Sequence, residues 1–163
     1  MLTQPSLKDI LNYDQVTGIF TWKITSGKAS VGNRAGSIHK SNGYRRIIIK
    51  GKHYSEHRLA WLYMTGEMPA NEIDHINGIR TDNRFDNLRA ATRAENLQNQ
   101  RHANSKNKST RLLGSAFHKQ SGTYFSRIQV DGIVKFIGAF KTAQEAHNAY
   151  VNAKRQVHLF GML

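Results

Sequence analysis

Residues 72–99 read EIDHINGIRTDNRFDNLRAATRAENLQN, and no other stretch of the chain concentrates as much specific chemistry. Glu72–Ile76 suits a strand, Asn77-Gly78 a tight turn, and Leu88–Ala91 a second short strand. Thr92 followed three residues later by Glu95 forms a Thr-x-x-Glu capping box, which predicts a helix starting there. The unit is therefore strand, loop, strand, helix, with Asn96 in the first turn or so of the helix. If that helix packs across the hairpin, Asn96 can approach Asp74 from the other side.

The side chains suggest a division of labour. The Asp74 carboxylate is a hard oxygen donor suited to Mg²⁺, and the Asn96 carbonyl is a neutral donor of the same class. Two such ligands leave room for waters and a phosphate, which matches the reluctance of Mg²⁺ to dehydrate. An imidazole such as His75, titrating near pH 6.5, can take a proton from water attacking a phosphodiester. Alternation along a strand would point Asp74 and His75 to opposite faces, so a joint role asks the strand to end, bulge or twist there. Taken alone, the same residues also fit an ordinary strand-end pair, a turn-capping Asn87 and a solvated Asn96. A calcium loop of the Asp-x-Asn-x-Asn-Gly type is excluded, because Ile76 stands where an oxygen donor is needed.

The charge balance supports a polyanionic partner. Twenty-four Lys and Arg against eleven Asp and Glu give a net charge of +13 over 163 residues. Such an excess attracts phosphate and releases counterions. No acidic residue occurs between Leu97 and Val130, where Arg101, Lys106, Lys108, Arg111, Lys119 and Arg127 all fall. Double-stranded DNA is the expected partner. The chain has no run of about 18 apolar residues, so no membrane span is expected, and there is no amphipathic basic helix for a membrane surface. The start, MLTQPSLKDIL, lacks the features of a signal peptide. The chain contains no cysteine, which removes disulfides and thiolate zinc sites and fits a reducing cytoplasm.

Outside the central stretch, Ser6–Tyr13 is predicted to be a short helix, Gly18–Ile24 a strand and Val31–Ser41 a loop. Tyr44–Ile49 and His53–Tyr54 form a predicted hairpin around Lys50-Gly51-Lys52, whose Lys40, Arg45, Arg46, Lys50 and Lys52 could follow a DNA backbone. Glu56–Thr65 is predicted helical, with Gly66 placed as its C-terminal cap and His57 as a packing residue. Residues 103–113 are expected to be a basic linker that orders on binding, with the preceding helix running a turn or two past Gln100. Beyond it, Gly114–His118, Tyr124–Val130 and Val134–Phe140 read as three strands, and Thr142 with Glu145 starts a helix whose inner face is Ala146, Ala149, Tyr150 and Ala153.

Two resemblances sharpen this picture. HRLAW at His57–Trp61 and IDHINGIRTDNRFDNLRAATRAEN at Ile73–Asn96 resemble HNH endonucleases of the phage and intron homing type. The resemblance implies a ββα-metal core over about residues 55–102, with His75 as general base and Asn87 bracing the loop and the base. It implies one divalent ion, Mg²⁺ or Mn²⁺, held per active site by Asp74 and Asn96. A bacterial or phage-infected cytoplasm is the setting it implies. Residues 114–163 resemble an AP2/ERF DNA-binding module through Ile137-Gly138-x-Phe140, Thr142 with Glu145-Ala146, and Ala149-Tyr150. On that resemblance a three-stranded sheet faces DNA, with Arg127 and Gln129 as base readers. The fold expected is α+β: an N-terminal β-rich region (1–54), the nuclease core, the linker and the C-terminal module. The rival expectation is a non-catalytic DNA-binding regulator acting through that module. Nothing here decides between monomer and dimer, or between a nick and a double-strand break.

Overall fold

The computed structural model describes residues 2–25, 27 and 29–158. The chain divides into two compact units, Met1–Arg93 and Ala94–Leu163.

The first unit opens with α1 (Gln4–Ile10), which passes directly into β1 (Leu11–Asp14). The expected helix at Ser6–Tyr13 is therefore shifted. Thr3 caps it, with its backbone N–H donating to Ser6 Oγ at 3.1 Å, and Pro5 occupies the first turn, where the missing N–H costs nothing. From Leu11 the burial alternates buried and exposed, and the segment pairs antiparallel with β2 (Ile19–Trp22). Leu7 and Leu11 satisfied a helical spacing in the sequence, but Leu11 and Tyr13 satisfy a strand spacing as well. The β1 partner decided between the two.

Next come β3 (Ser37–Ile38), β4 (Arg45–Ile49) and β5 (Lys52–Ser55), a three-stranded sheet in that order. The expected Val31–Ser41 loop thus contains a two-residue strand. Lys50 and Gly51, both at positive φ, make the two-residue β4–β5 turn, the hairpin geometry that suits the right-handed strand twist. α2 (Glu56–Thr65) follows and ends at Gly66, whose φ of 90° places it in the left-handed region. This is where a Cβ-free residue caps a helix at least cost.

The unit closes with a two-stranded hairpin, β6 (Glu72–His75) against β7 (Leu88–Ala91), linked by a loop that ends in a 3₁₀ turn at Phe85–Asn87. One core gathers Leu7, Leu11, Phe20, Ile47, Leu59, Leu62, Ile73 and Leu88 among others. Ile73 and Leu88 fasten the hairpin to it, and burying side chains of this size stabilises by about 1.5–3 kcal/mol each.

In the second unit, α3 (Arg93–Gln98), which begins at the boundary, ends before Gln100. The expected continuation past Gln100 is replaced by turns centred on Asn107. Its Nδ2 donates to the carbonyls of Leu112 (3.0 Å) and Ser115 (2.9 Å). Its Oδ1 accepts from the Thr110 backbone at 3.3 Å. Side chains of this type compete with helical hydrogen bonding.

Strands β8 (Ser115–His118), β9 (Thr123–Val130) and β10 (Ile133–Phe140) form an antiparallel sheet with β9 central. Helix α4 (Ala143–Val157) packs on it with Ala146 buried, Lys154 donates to the Gln100 carbonyl, and Thr142 caps the helix by accepting from Glu145 N at 3.2 Å. Residues 159–163 of the expected C-terminal module lie outside the described residues.

Candidate active site

The β6–β7 ladder is regular, with Glu72 opposite Ala91, Ile73 opposite Ala90, Asp74 opposite Arg89 and His75 opposite Leu88. There is no bulge. Asp74 and His75 therefore project to opposite faces of the hairpin, and His75 is the last residue of its strand. Both are buried, at 5% and 3% exposure, so each face of the hairpin is covered where they stand.

On one face, Asp74 meets Arg89. Both Arg89 Nε and Nη2 reach Asp74 Oδ2, at 2.8 and 2.7 Å. The directly opposite cross-strand position makes this contact possible. A buried carboxylate needs such a counter-charge or a metal ion to remain ionised at modest cost.

On the other face, His75 enters a polar cluster buried within the first unit. Its Nε2 lies 2.9 Å from Asn83 Oδ1. Asn83 Nδ2 donates to Glu56 Oε2 at 2.6 Å, and Arg45 Nε stands 3.6 Å from the same oxygen. The Tyr13 hydroxyl donates to the Asn83 carbonyl at 2.7 Å, fixing that residue's backbone as well. The His75 ring packs at 5.2 Å from His57, edge to face, and at 5.8 Å from Tyr44. Arg80 covers the outer side of Tyr44, its guanidinium 5.2 Å from the ring centre.

Burial governs the protonation of this cluster. It pushes the His75 imidazole below its ordinary value, against an opposing pull from Asn83, Asp74 and Asp82. It lowers His57 to about 3, helped by the neighbouring His75 and Arg58. It raises Glu56 to about 7, while Arg45 and the Asn83 hydrogen bond draw it back. The face of His75 thus favours a neutral imidazole, the form able to accept a proton.

Asn87 ties the loop between the strands. Its Oδ1 accepts from the Asn77 backbone at 3.0 Å, and its Nδ2 donates to Asn77 Oδ1 at 3.0 Å and to the Asp82 carbonyl at 2.8 Å. The side chain holding His75 is Asn83. That residue, Glu56 and Arg89 are the site residues that sequence reasoning missed. The polar run Asp82-Asn83-Arg84 and the acid preceding His57 were the available signals, but nothing local joins residues 56 and 83.

Asn96 stands on α3, in the second unit. Among the DNA contacts expected, Arg45 is turned inward: Nη1 donates to the Gly36 carbonyl at 2.8 Å while Nε faces Glu56. Nη2 takes part in neither contact. Arg46 instead lines a shallow groove with Ser37, Ile38, His39, Lys40 and His53. Lys106, Lys108, Arg111, Lys119, Arg127 and Gln129 are all exposed. In β9, Ser126 and Ile128 are buried whereas Arg127 and Gln129 face outward. The register breaks at Phe136/Gly138, so the inward-outward alternation of β10 shifts there.

An acid and a histidine at the end of a hairpin strand, followed by an asparagine-braced loop and a helix, define the class. Residues 54–98 match the family model described as HNH endonuclease, so the chain carries an HNH endonuclease domain, the domain of a DNA-cutting enzyme. Among solved structures, the chain is similar to one titled "DNA binding and cleavage by the HNH homing endonuclease I-HmuI". The identity is 22%, 84% of this chain and 75% of that chain are covered, and the TM-score is 0.44. No curated protein matches the chain.

HNH nucleases use a divalent metal ion. Among the described residues no group of three or more His, Cys, Asp and Glu side chains is placed to hold one. Asp74, a buried carboxylate whose Oδ2 meets Arg89, is a hard oxygen donor of the kind such ions take. Among the described residues, no helix is long and apolar enough to cross a membrane.

Proposed function

We propose that the protein is a sequence-recognising DNA endonuclease of the homing type that hydrolyses one phosphodiester per active site with His75 as general base. The observation carrying this reading is the buried, neutral-favouring imidazole of His75 as the last residue of β6 and within the matched segment; because the strand stops there, the reading has the phosphate reach Asp74 and His75 around the strand end. Water attacks phosphorus as its proton passes to His75. The P–O3′ bond breaks, and the 3′ oxygen is protonated from solvent, giving a 5′-phosphate and a 3′-hydroxyl. Asp74, with Asn96 as the second oxygen donor, would hold one Mg²⁺ or Mn²⁺, which when bound supplies charge stabilisation to the phosphate. Arg89 keeps the Asp74 carboxylate aimed. Asn87 keeps the loop after His75 in one conformation.

DNA would be gripped by Arg46, Lys106, Lys108, Arg111 and Lys119. The AP2/ERF-like sheet face would read bases through Arg127 and Gln129, supported by their outward orientation. Supercoiled plasmid incubated with Mg²⁺ or Mn²⁺, beside an EDTA control, tests the reading. His75→Ala should lose at least about 10²-fold in rate, and Asp74→Ala and Asn96→Ala should lose metal-dependent cutting. Native-rate cutting by His75→Ala would refute the assignment. No cutting with any divalent ion would favour the regulator reading, in which the outward-facing Arg127 and Gln129 are the working residues.

A further inference from the structure

We propose that Asn83 and Glu56 are positioning residues that hold His75 in the tautomer protonated on Nε2, leaving Nδ1 as its proton-accepting nitrogen. This inference rests on the reading of His75 as the base.

The argument begins at Glu56. Above its value of about 7 this side chain is a carboxylate, which can only accept hydrogen bonds, so the group it meets on Asn83 is then the amide nitrogen. That contact is short, 2.6 Å from Asn83 Nδ2 to Glu56 Oε2. The amide is planar, so its oxygen is then the atom presented to His75, where Nε2 lies 2.9 Å away. An amide oxygen cannot donate. Nε2 must therefore carry the hydrogen, and a neutral imidazole protonated there has its lone pair on Nδ1. The orientation of one amide thus selects which nitrogen can take a proton.

The relay is placed where it can enforce this choice. Glu56 is 0% and Asn83 1% exposed, so no bulk water competes for either contact. Glu56 is the first residue of α2, and Arg45 on β4 lies 3.6 Å from the same carboxylate oxygen, favouring the ionised, acceptor-only form. The Asn83 backbone is held separately by the Tyr13 hydroxyl at 2.7 Å. Asn83 is thus held through its side chain by α2 and through its backbone by β1, while β4 braces Glu56, and its amide contacts the proposed base. In serine proteases, holding a catalytic histidine in the wrong tautomer costs about 10⁴-fold in turnover although the geometry survives. A neutral amide relay should have a smaller effect, at least about tenfold.

The test is two-bond ¹H–¹⁵N correlation NMR on the full chain, metal-free and ¹⁵N-histidine labelled at pH 8, with His75 assigned from its loss in His75→Ala. The wild-type spectrum is expected to show His75 protonated on Nε2 alone. Glu56→Gln, whose amide can both donate and accept, and Asn83→Ala should each introduce the Nδ1-protonated form. Both should also lower kcat at least about tenfold with little change in KM for DNA. A wild-type His75 protonated on Nδ1 overturns the proposal and requires neither Glu56→Gln nor Asn83→Ala to fold. So does an unchanged tautomer in both variants. If His75→Ala cuts at the native rate while the wild-type tautomer is as expected, the endonuclease mechanism fails and the relay stands.

Discussion

Gly18 offers a way to disturb the base without touching it. It lies in the β1–β2 turn at φ +72°, and a Cβ added there would sit 2.4 Å from Arg84 N and 2.5 Å from the Asn83 carbonyl carbon. Both neighbours are backbone. The contact would have to open from 2.4 Å to at least 3.4 Å, so the Asn83–Arg84 segment must move by about 1 Å. That movement breaks the Tyr13–Asn83 hydrogen bond, at about 1–3 kcal/mol for a buried group left unpaired, and adds to about 1 kcal/mol of left-handed strain on alanine. Gly18→Ala should therefore cost about 2–4 kcal/mol. The same shift displaces the amide that contacts His75, and a misplacement of this size can cost on the order of 10²-fold in rate. Gly51 is the control: it has φ +75° but nothing within 4 Å of an added Cβ, so Gly51→Ala should cost about 1 kcal/mol and leave cutting intact. Both tryptophans, Trp22 and Trp61, lie in the first unit, so urea unfolding followed by tryptophan fluorescence reads the relevant stability. Equal destabilisation by the two substitutions, or full cutting by folded Gly18→Ala, would refute this chain of reasoning.

Acid should weaken the first unit through His57. Its folded value of about 3 lies below the usual 6.5, so the unfolded chain binds the extra proton, and this contribution is complete above pH 6.5 and falls as pH drops toward 3. Glu56 acts in the opposite sense, contributing most below 4.5 and losing that contribution as pH rises through about 7. The stability gap between wild type and His57→Gln in urea titrations should therefore shrink by about 3 kcal/mol between pH 7 and pH 4; a constant gap would contradict the buried neutral imidazole. Thr142→Ala should destabilise the second unit by about 1 kcal/mol through loss of the α4 cap, read as a lower thermal midpoint in circular dichroism, whereas Thr142→Asp should retain most of the stability. If about six phosphates are neutralised, DNA affinity should fall with a log–log salt slope near −5; a flat response in fluorescence anisotropy would exclude an extended phosphate interface.

Elements with local punctuation were legible before the structure. Gly66 ended α2, and Thr142 with Glu145 began α4. Helix α1 was misplaced because Leu7, Ile10 and Leu11 satisfy a helical stripe while Leu11 and Tyr13 satisfy a strand. Only pairing with β2, a contact made elsewhere in the chain, separates those readings. The site divides in the same way. Asp74, His75 and Asn87 were visible as a compact motif, whereas Glu56 and Asn83 lie 27 positions apart and meet only after α2 has packed beside the hairpin. Arg45 shows the limit from the other side: read in the sequence only as a basic residue on a strand, it also donates to the Gly36 carbonyl and pairs with Glu56, contacts that no local pattern announces.

The Asn107 knot changes what residues 103–113 cost when a ligand arrives. A flexible tether loses about 1–2 kcal/mol of backbone freedom for every residue it orders, and that loss is subtracted from any affinity its cations provide. Here two carbonyls and a backbone amide are already gathered by one side chain, and Lys106, Lys108 and Arg111 project from turns that exist beforehand. Folding has already met the entropic cost of their arrangement, so their charge can act on the first encounter with a polyanion.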